Sequence, residues 1–271
     1  MGRIARRPIP GWPTLLGITS LAAWVALASS AGRLVPSILC APGGVPSAPA
    51  SRSLDLLLVL NSPTRVVWGA VSGAALMVAA MMLPLAAVPL RHVYQRSFAR
   101  RRGRAMLLFA AGYAIVWIGA AAILELLALA ARLAALTSLA WLVAASGAAA
   151  LWQASPAKQW CLNRCHRRPQ LAAFGAAADR DSLVFGLAHS ASCVGACWAL
   201  MLLPLGAANF HLPIMAAVAL FVAAERIERP APLSWRWRWP GKVLRSIAAR
   251  LRYASGGMDA SIISATSEVV P

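Results

Sequence analysis

Acidic side chains are scarce in this 271-residue chain: 8 Asp and Glu stand against 26 Lys and Arg, and charged residues make up only 13%. So thin a charged complement does not fit a water-soluble domain, and a hydrophobic content of 60% places the chain in the membrane class. Catalytic constellations are missing as well. The chain has no Ser/His/Asp arrangement, no phosphate-binding glycine loop and no HExxH, so the sequence assigns it no reaction. No internal repeat is detectable, and with it the usual signature of a permease is lacking. The net charge of +18 comes without a basic groove motif, which points to cytoplasmic loops and anionic lipid and away from nucleic acid. Tyrosine is rare, 3 against 11 Trp, a balance that fits interfacial anchoring. Trp24, Trp117 and Trp141 fall inside apolar stretches and are expected to pack between helices.

Crossing a hydrocarbon core of about 30 Å takes about twenty apolar residues. Six stretches qualify as candidates, near 13–31, 66–90, 105–130, 133–152, 183–204 and 211–227. The predicted fold is therefore an all-α polytopic bundle of about six transmembrane helices. Lys and Arg distribute 22 to one side and 4 to the other along these stretches, which orients the chain with both termini inside. A basic N-terminus (1–12) precedes the bundle (13–230), and a basic tail (231–271) follows it. Arg3, Arg6 and Arg7 ahead of an apolar run also resemble a signal peptide, but Pro8, Pro10 and Pro13 favour a retained first helix. The third and fourth helices are expected to form a tight hairpin near Arg132; a single kinked helix is the rival. The 31–53 loop, rich in proline, should be irregular and face outward, and the short run 54–60 should lie on the lipid surface. In the tail, WRWRWP precedes a segment (242–253) that reads either as an interfacial amphipathic helix or as a disordered basic stretch, and 255–271 reads as disordered.

Chemistry concentrates on sulfur. His189, Cys193, Cys197 and Met201 recur every four residues, and each i to i+4 step turns a helix only about 40° beyond a full rotation. One stripe would then carry an imidazole, two thiols and a thioether, a donor set that suits Cu(I) first and Zn(II) second. The competing reading makes His189 a hydrogen-bonded core histidine, with the cysteines packing as small apolar residues. Met77, Met81 and Met82 precede Pro84, which is expected to kink the second helix; Met81 and Met82 join the candidate ligands, with methionine packing as the alternative. Cys161 and Cys165 lie one helical turn apart among Lys158, Arg164, Arg167 and Arg168, cations expected to favour thiolate. The bland reading leaves them as loop thiols in a reducing compartment. Glu125 and Glu225 are the candidate buried acids, Glu225 expected to pair with Arg226 or Arg229, and Cys40 stands alone.

Several of these segments together resemble the bacterial predicted metal-binding integral membrane proteins, a family defined as a domain of unknown function. The resemblance covers about residues 66–228. It rests on Trp68 followed by MVAAMMLPLAAVP, on GYAIVW (112–117), on PAKQWCLNRCHRRP (156–169), on GLAHSASCVGACWALM (186–201), on Asn209 and on the Glu225-Arg226 pair. It implies a helical protein of the bacterial inner membrane that binds metal, and it supplies no reaction. The family's usual Cys-Gly-Cys-Cys before the Trp is reduced here, since Val194 and Ala196 leave only Cys193 and Cys197, and its Gly-x-Met-Asn reads GAAN.

Three functions compete at this level. A copper-handling protein would bind Cu(I) through Cys193, Cys197 and His189 with Met81, Met82 or Met201 nearby, and would use Cys161 and Cys165 as a donor or acceptor pair. A membrane scaffold would recruit lipid, a partner protein or a second copy through its basic face and WRWRW tail. A thiol-disulfide electron carrier would cycle Cys161 and Cys165.

Overall fold

The computed structural model describes residues 11–30, 63–134, 136–207, 210–242 and 245–246. The expectations for the N-terminus, the 31–53 loop with Cys40, the 54–60 run and most of the tail lie outside the described residues, as do the side chains of Glu125 and Arg132. Every regular element described is helical: α1 (Trp12–Ser30), α2 (Pro63–Met77), a π-turn (Val78–Met82), α3 (Leu83–Arg96), a short 3-10 turn (Ala99–Arg101), α4 (Arg102–Leu133), α5 (Ser138–Ala154), α6 (Pro156–Cys165), α7 (Gly175–Gly206) and α8 (His211–Ile227).

Helices occupy all six predicted places, but they differ in length. Four stretches combine ample length and apolarity to cross a bilayer: Trp12–Ser29, Val71–Arg96, Ala99–Ala128 and Gly175–Gly206. α5 and α8 have 17 residues each, about 25 Å at 1.5 Å per residue. The ends of α5 are set by polar caps that the apolar pattern did not weigh. Thr137 accepts the Ala140 N–H at the start of α5, and Ser155 both closes α5 and accepts the Lys158 N–H as the cap of α6.

α4 and α7, 32 residues each, form the spine and pack on each other more extensively than any other pair. They run parallel. Arg101 and Arg104 each meet Asp179 at 2.8 Å at one end, and further along the Ser190 hydroxyl donates to the Tyr113 carbonyl at 2.9 Å. Close approach is permitted by glycine, since a Cβ on Gly112 would fall 2.6 Å from the Leu183 carbonyl oxygen. α5 runs the other way along α7: Trp141 donates to the Leu202 carbonyl and Trp152 to the Gly195 carbonyl. The chain therefore reverses direction between α4 and α5, which rules out the single kinked helix. α4 and α5 lean on α7, however, and not principally on each other.

Pro84 bends the second stretch as expected, and the bend takes the form of the π-turn over Val78–Met82. An α-helix would satisfy the Ala80 carbonyl from the N–H of residue 84, which proline lacks. Ser20 and Trp24 of α1 supply the bonds, at 2.7 and 3.1 Å, and so fasten α1 to the bend. Trp24 and Trp141 bond across helices and Trp117 is buried in the core, as their positions in apolar stretches implied. Outward, the helices present Leu15, Leu21, Leu107, Ile123, Val143 and Leu220, all exposed.

Candidate metal site

The helical stripe forms as the spacing predicts. His189, Cys193, Cys197 and Met201 all lie on α7 and all are buried, the two cysteines completely. Met81 and Met82, on the π-turn, belong to the same continuous buried cluster as Cys193, Cys197 and Met201. Tyr113 of α4 ties the two parts together, with its hydroxyl 3.6 Å from the Cys193 sulfur and 3.4 Å from the Met82 carbonyl oxygen, to which it donates.

His189 sits in an aromatic cage. Its ring centroid lies 5.8 Å from that of Phe185, 6.2 Å from Phe109 and 6.3 Å from Tyr113. Its Nδ1 is buried without a hydrogen-bond partner among the described residues.

The second thiol pair lies on a helix packed against the first. α6 follows α5 after the Ser155 cap and lies against α7. Cys161 covers Gly195, which lies about 200° round α7 from both Cys193 and Cys197 and so on the face opposite their stripe: a Cβ added at Gly195 would fall 2.5 Å from the Cys161 sulfur. One turn on, Cys165 interacts electrostatically with both Cys161 and Cys193. Two cysteine pairs that lie about thirty residues apart in sequence are thus carried on packed helices, with Cys161 behind the stripe of α7, and all four thiols are free. Among the described residues, no group of three or more His, Cys, Asp or Glu is arranged to hold an ion. The thiols come as pairs.

Their electrostatics correct the sequence expectation. Burial pushes the Cys161 thiol up, with Arg164 only partly opposing it, and pushes Cys165 up to about 12 against the pull of Arg226. The cations nearby in sequence are spent elsewhere. Arg164 stacks over the Trp160 ring at 4.4 Å. Lys158, 2% exposed, donates to both Glu225 oxygens at 2.7 and 2.8 Å, so Glu225 pairs with α6 and not with Arg226 or Arg229. Gln153 bonds to both members of that pair.

The cation that does reach the thiols is Arg226, near the end of α8. Its charge acts on Cys193, Cys165, Tyr113 and Cys197 together, while its Nε and Nη2 are buried without hydrogen-bond partners among the described residues. The His166 Nε2 holds the Arg226 carbonyl at 3.2 Å, tying this position to α6. Tyr113 and Arg226 were not singled out as site residues from sequence, although both stand in segments that carry the family resemblance. α5 and α8, the two short apolar helices, both end at this level, with Trp152 at Gly195 and Arg226 at Cys193.

Residues 71–249 match the family model described as PpoB2, a copper chaperone. The chain belongs to that family. No curated protein and no solved structure matches it. The PpoB2 match spans all ten of the residues gathered here, from Met81 on the π-turn to Arg226 on α8. For a copper chaperone family member the donor set is apt, since free thiols, thioethers and an unpartnered imidazole nitrogen favour Cu(I) over harder ions.

Proposed function

We propose that this chain is a membrane-integral copper chaperone that carries Cu(I) on Cys193 and Cys197 and exchanges it with Cys161 and Cys165. His189, Met81, Met82 and Met201 lie in or beside the same buried region and would receive or stabilise the ion in transit. Zinc is the second choice of metal. The observation that carries this reading is the complete burial of Cys193 and Cys197 in one cluster with Met81, Met82 and Met201, against which the second thiol-bearing helix α6 packs, in a member of a copper chaperone family. Cu(I) passes between thiol pairs by ligand exchange without a change of oxidation state, so a second thiol pair on a packed helix suits delivery.

Membrane integration is supported by four apolar helices of sufficient length and by their outward aliphatic side chains. We read α5 and α8 as the remaining two crossings, at the short end of the range of about 17–25 residues. The parallel course of α4 and α7, with α5 running the other way, agrees with that parity. Charge asymmetry supports an orientation with both termini in the cytoplasm, and the family resemblance of the sequence supports the bacterial inner membrane as the location.

Protein purified in detergent, loaded anaerobically with Cu(I) or Zn(II) and compared with Cys193→Ser/Cys197→Ser, tests the site. Loss of bound Cu(I) in the variant is expected; unchanged stoichiometry rejects it.

The tail favours a recruiting role beside this one. Trp235, Trp237 and Trp239 are exposed on a segment pinned to α5 by the bond from Arg236 N–H to the Ala154 carbonyl, 3.1 Å. A cavity of about 280 Å³ lies next to them, lined by Gln159, His166, Glu225, Arg229 and Arg238. Deleting 235–271 should abolish capture of lipid, a partner or a second copy while leaving metal content unchanged; loss of metal in the deletion rejects a separate role for the tail.

A further inference from the structure

Arg226 is a cation in need of a counter-charge. The nearest carboxylate in sequence, Glu225, is held by Lys158 and Gln153, and Glu228 accepts the Lys242 N–H. Among the described residues no carboxylate forms an ion pair with Arg226. Two of its nitrogens are buried without partners, and the groups that feel its charge include thiols on two helices together with the Tyr113 hydroxyl. An uncompensated guanidinium in so apolar a setting is costly unless a negative charge arrives beside it.

We propose that Arg226 sets the charge of the ion this site accepts, favouring monovalent soft cations over divalent ones. The inference rests on the reading of Cys193 and Cys197 as ligands. Cu(I) binding to two thiols releases two protons and forms two Cu–S bonds, leaving a bis-thiolate complex of charge −1; no electron is transferred. With Arg226 the buried sum is zero. Zn(II) on the same two thiolates gives a neutral complex, and the sum with Arg226 is +1, unbalanced in a low-dielectric site. Lys158 does not alter this count, because Glu225 cancels it. Ag(I), soft and monovalent, should behave as Cu(I) does.

The test uses the full chain in detergent under anaerobic conditions. Affinities for Cu(I), Ag(I) and Zn(II) are measured by chelator competition in the wild type and in Arg226→Lys, Arg226→Gln and Arg226→Met. Both neutral variants are expected to lose Cu(I) and Ag(I) affinity by on the order of a hundredfold, as for removal of one partner from a buried charge pair. Zn(II) affinity should hold or rise, and Arg226→Lys should retain the monovalent preference. Gln keeps polar atoms at the position and serves where Met does not fold. Wild-type Cu(I) and Ag(I) affinity in the neutral variants overturns the proposal, and so does an equal loss of all three ions. If Cys193→Ser/Cys197→Ser also binds Cu(I) as the wild type does, the ligand assignment has failed instead.

Discussion

Lys158 clasps both oxygens of Glu225 across α6 and α8, at 2.7 and 2.8 Å, and both residues are buried. This pair holds the thiol-bearing helix α6 against the end of α8 that carries Arg226. Glu225→Gln leaves a buried ammonium without its counter-charge and is expected to cost about 3–5 kcal/mol. Burial lowers the Lys158 pKa, and Glu225 opposes that shift. Because the folded value lies below the ordinary 10.5, the unfolded chain holds the proton more tightly, and stability rises as pH climbs towards 10.5. Removing Glu225 widens that window, so thermal unfolding in detergent should show a steeper gain between neutral and alkaline pH for the variant. A flat difference across this range would contradict the assignment.

Gly195 is the contact that lets α6 settle on α7. Gly195→Ala should overpack the site by about 1–3 kcal/mol, with Cys161 displaced from its seat. Replacing the sulfur relieves the clash, because the Cys161 Cβ lies 3.5 Å from the added methyl, an ordinary contact. Gly195→Ala/Cys161→Ala is therefore expected to be more stable than Gly195→Ala alone. Additive losses in this double-mutant cycle would show that the two residues do not touch.

Cys165 offers a direct test of burial against local charge. With its thiol pushed up to about 12, it is neutral at physiological pH and should alkylate slowly. Iodoacetamide labelling mapped by mass spectrometry should accelerate by about tenfold per pH unit well beyond the usual thiol range near 9. A rate that levels off below pH 8 would mean that the surrounding arginines prevail.

The bonds from Ser20 and Trp24 to the Ala80 carbonyl replace the one Pro84 cannot make. Ser20→Ala or Trp24→Phe alone should cost about 1 kcal/mol, and the two together more than their sum, because the carbonyl is then left bare. Pro84→Ala supplies a helical N–H and should shrink that excess. Unfolding in detergent or mild denaturant reads all three; an excess that persists in the Pro84→Ala background would remove the explanation.

The stripe from His189 to Met201 can be read directly from sequence because helical periodicity is local: four residues at one spacing must share a face wherever the helix lies. The same applies to Pro84, whose missing N–H disrupts any helix, and to Trp117, whose apolar surroundings leave it only the core. Charge on Cys161 and Cys165 cannot be read in this way. Proximity in sequence to Lys158 and Arg164 suggests thiolate, yet Lys158 turns to Glu225 and Arg164 to Trp160, and burial dominates. Helix length escapes the sequence for a related reason. Hydropathy sees apolar residues but not the Thr137 cap, so α5, read as 133–152, begins only at Ser138, whereas α8 keeps the 211–227 that the sequence offered.

Composition and spacing by themselves determined a helical, apolar, strongly basic chain with a sulfur-rich stripe, since both depend on residue type and on neighbours within a turn or two. Only tertiary structure decided that Cys161 rests on Gly195, that Tyr113 meets Cys193 and that Arg226 serves the thiols without a carboxylate of its own. Those contacts join side chains 34, 80 and 33 positions apart along the chain, and no periodic pattern encodes which distant helices meet; packing of glycine against sulfur and the need to pair buried charge select them.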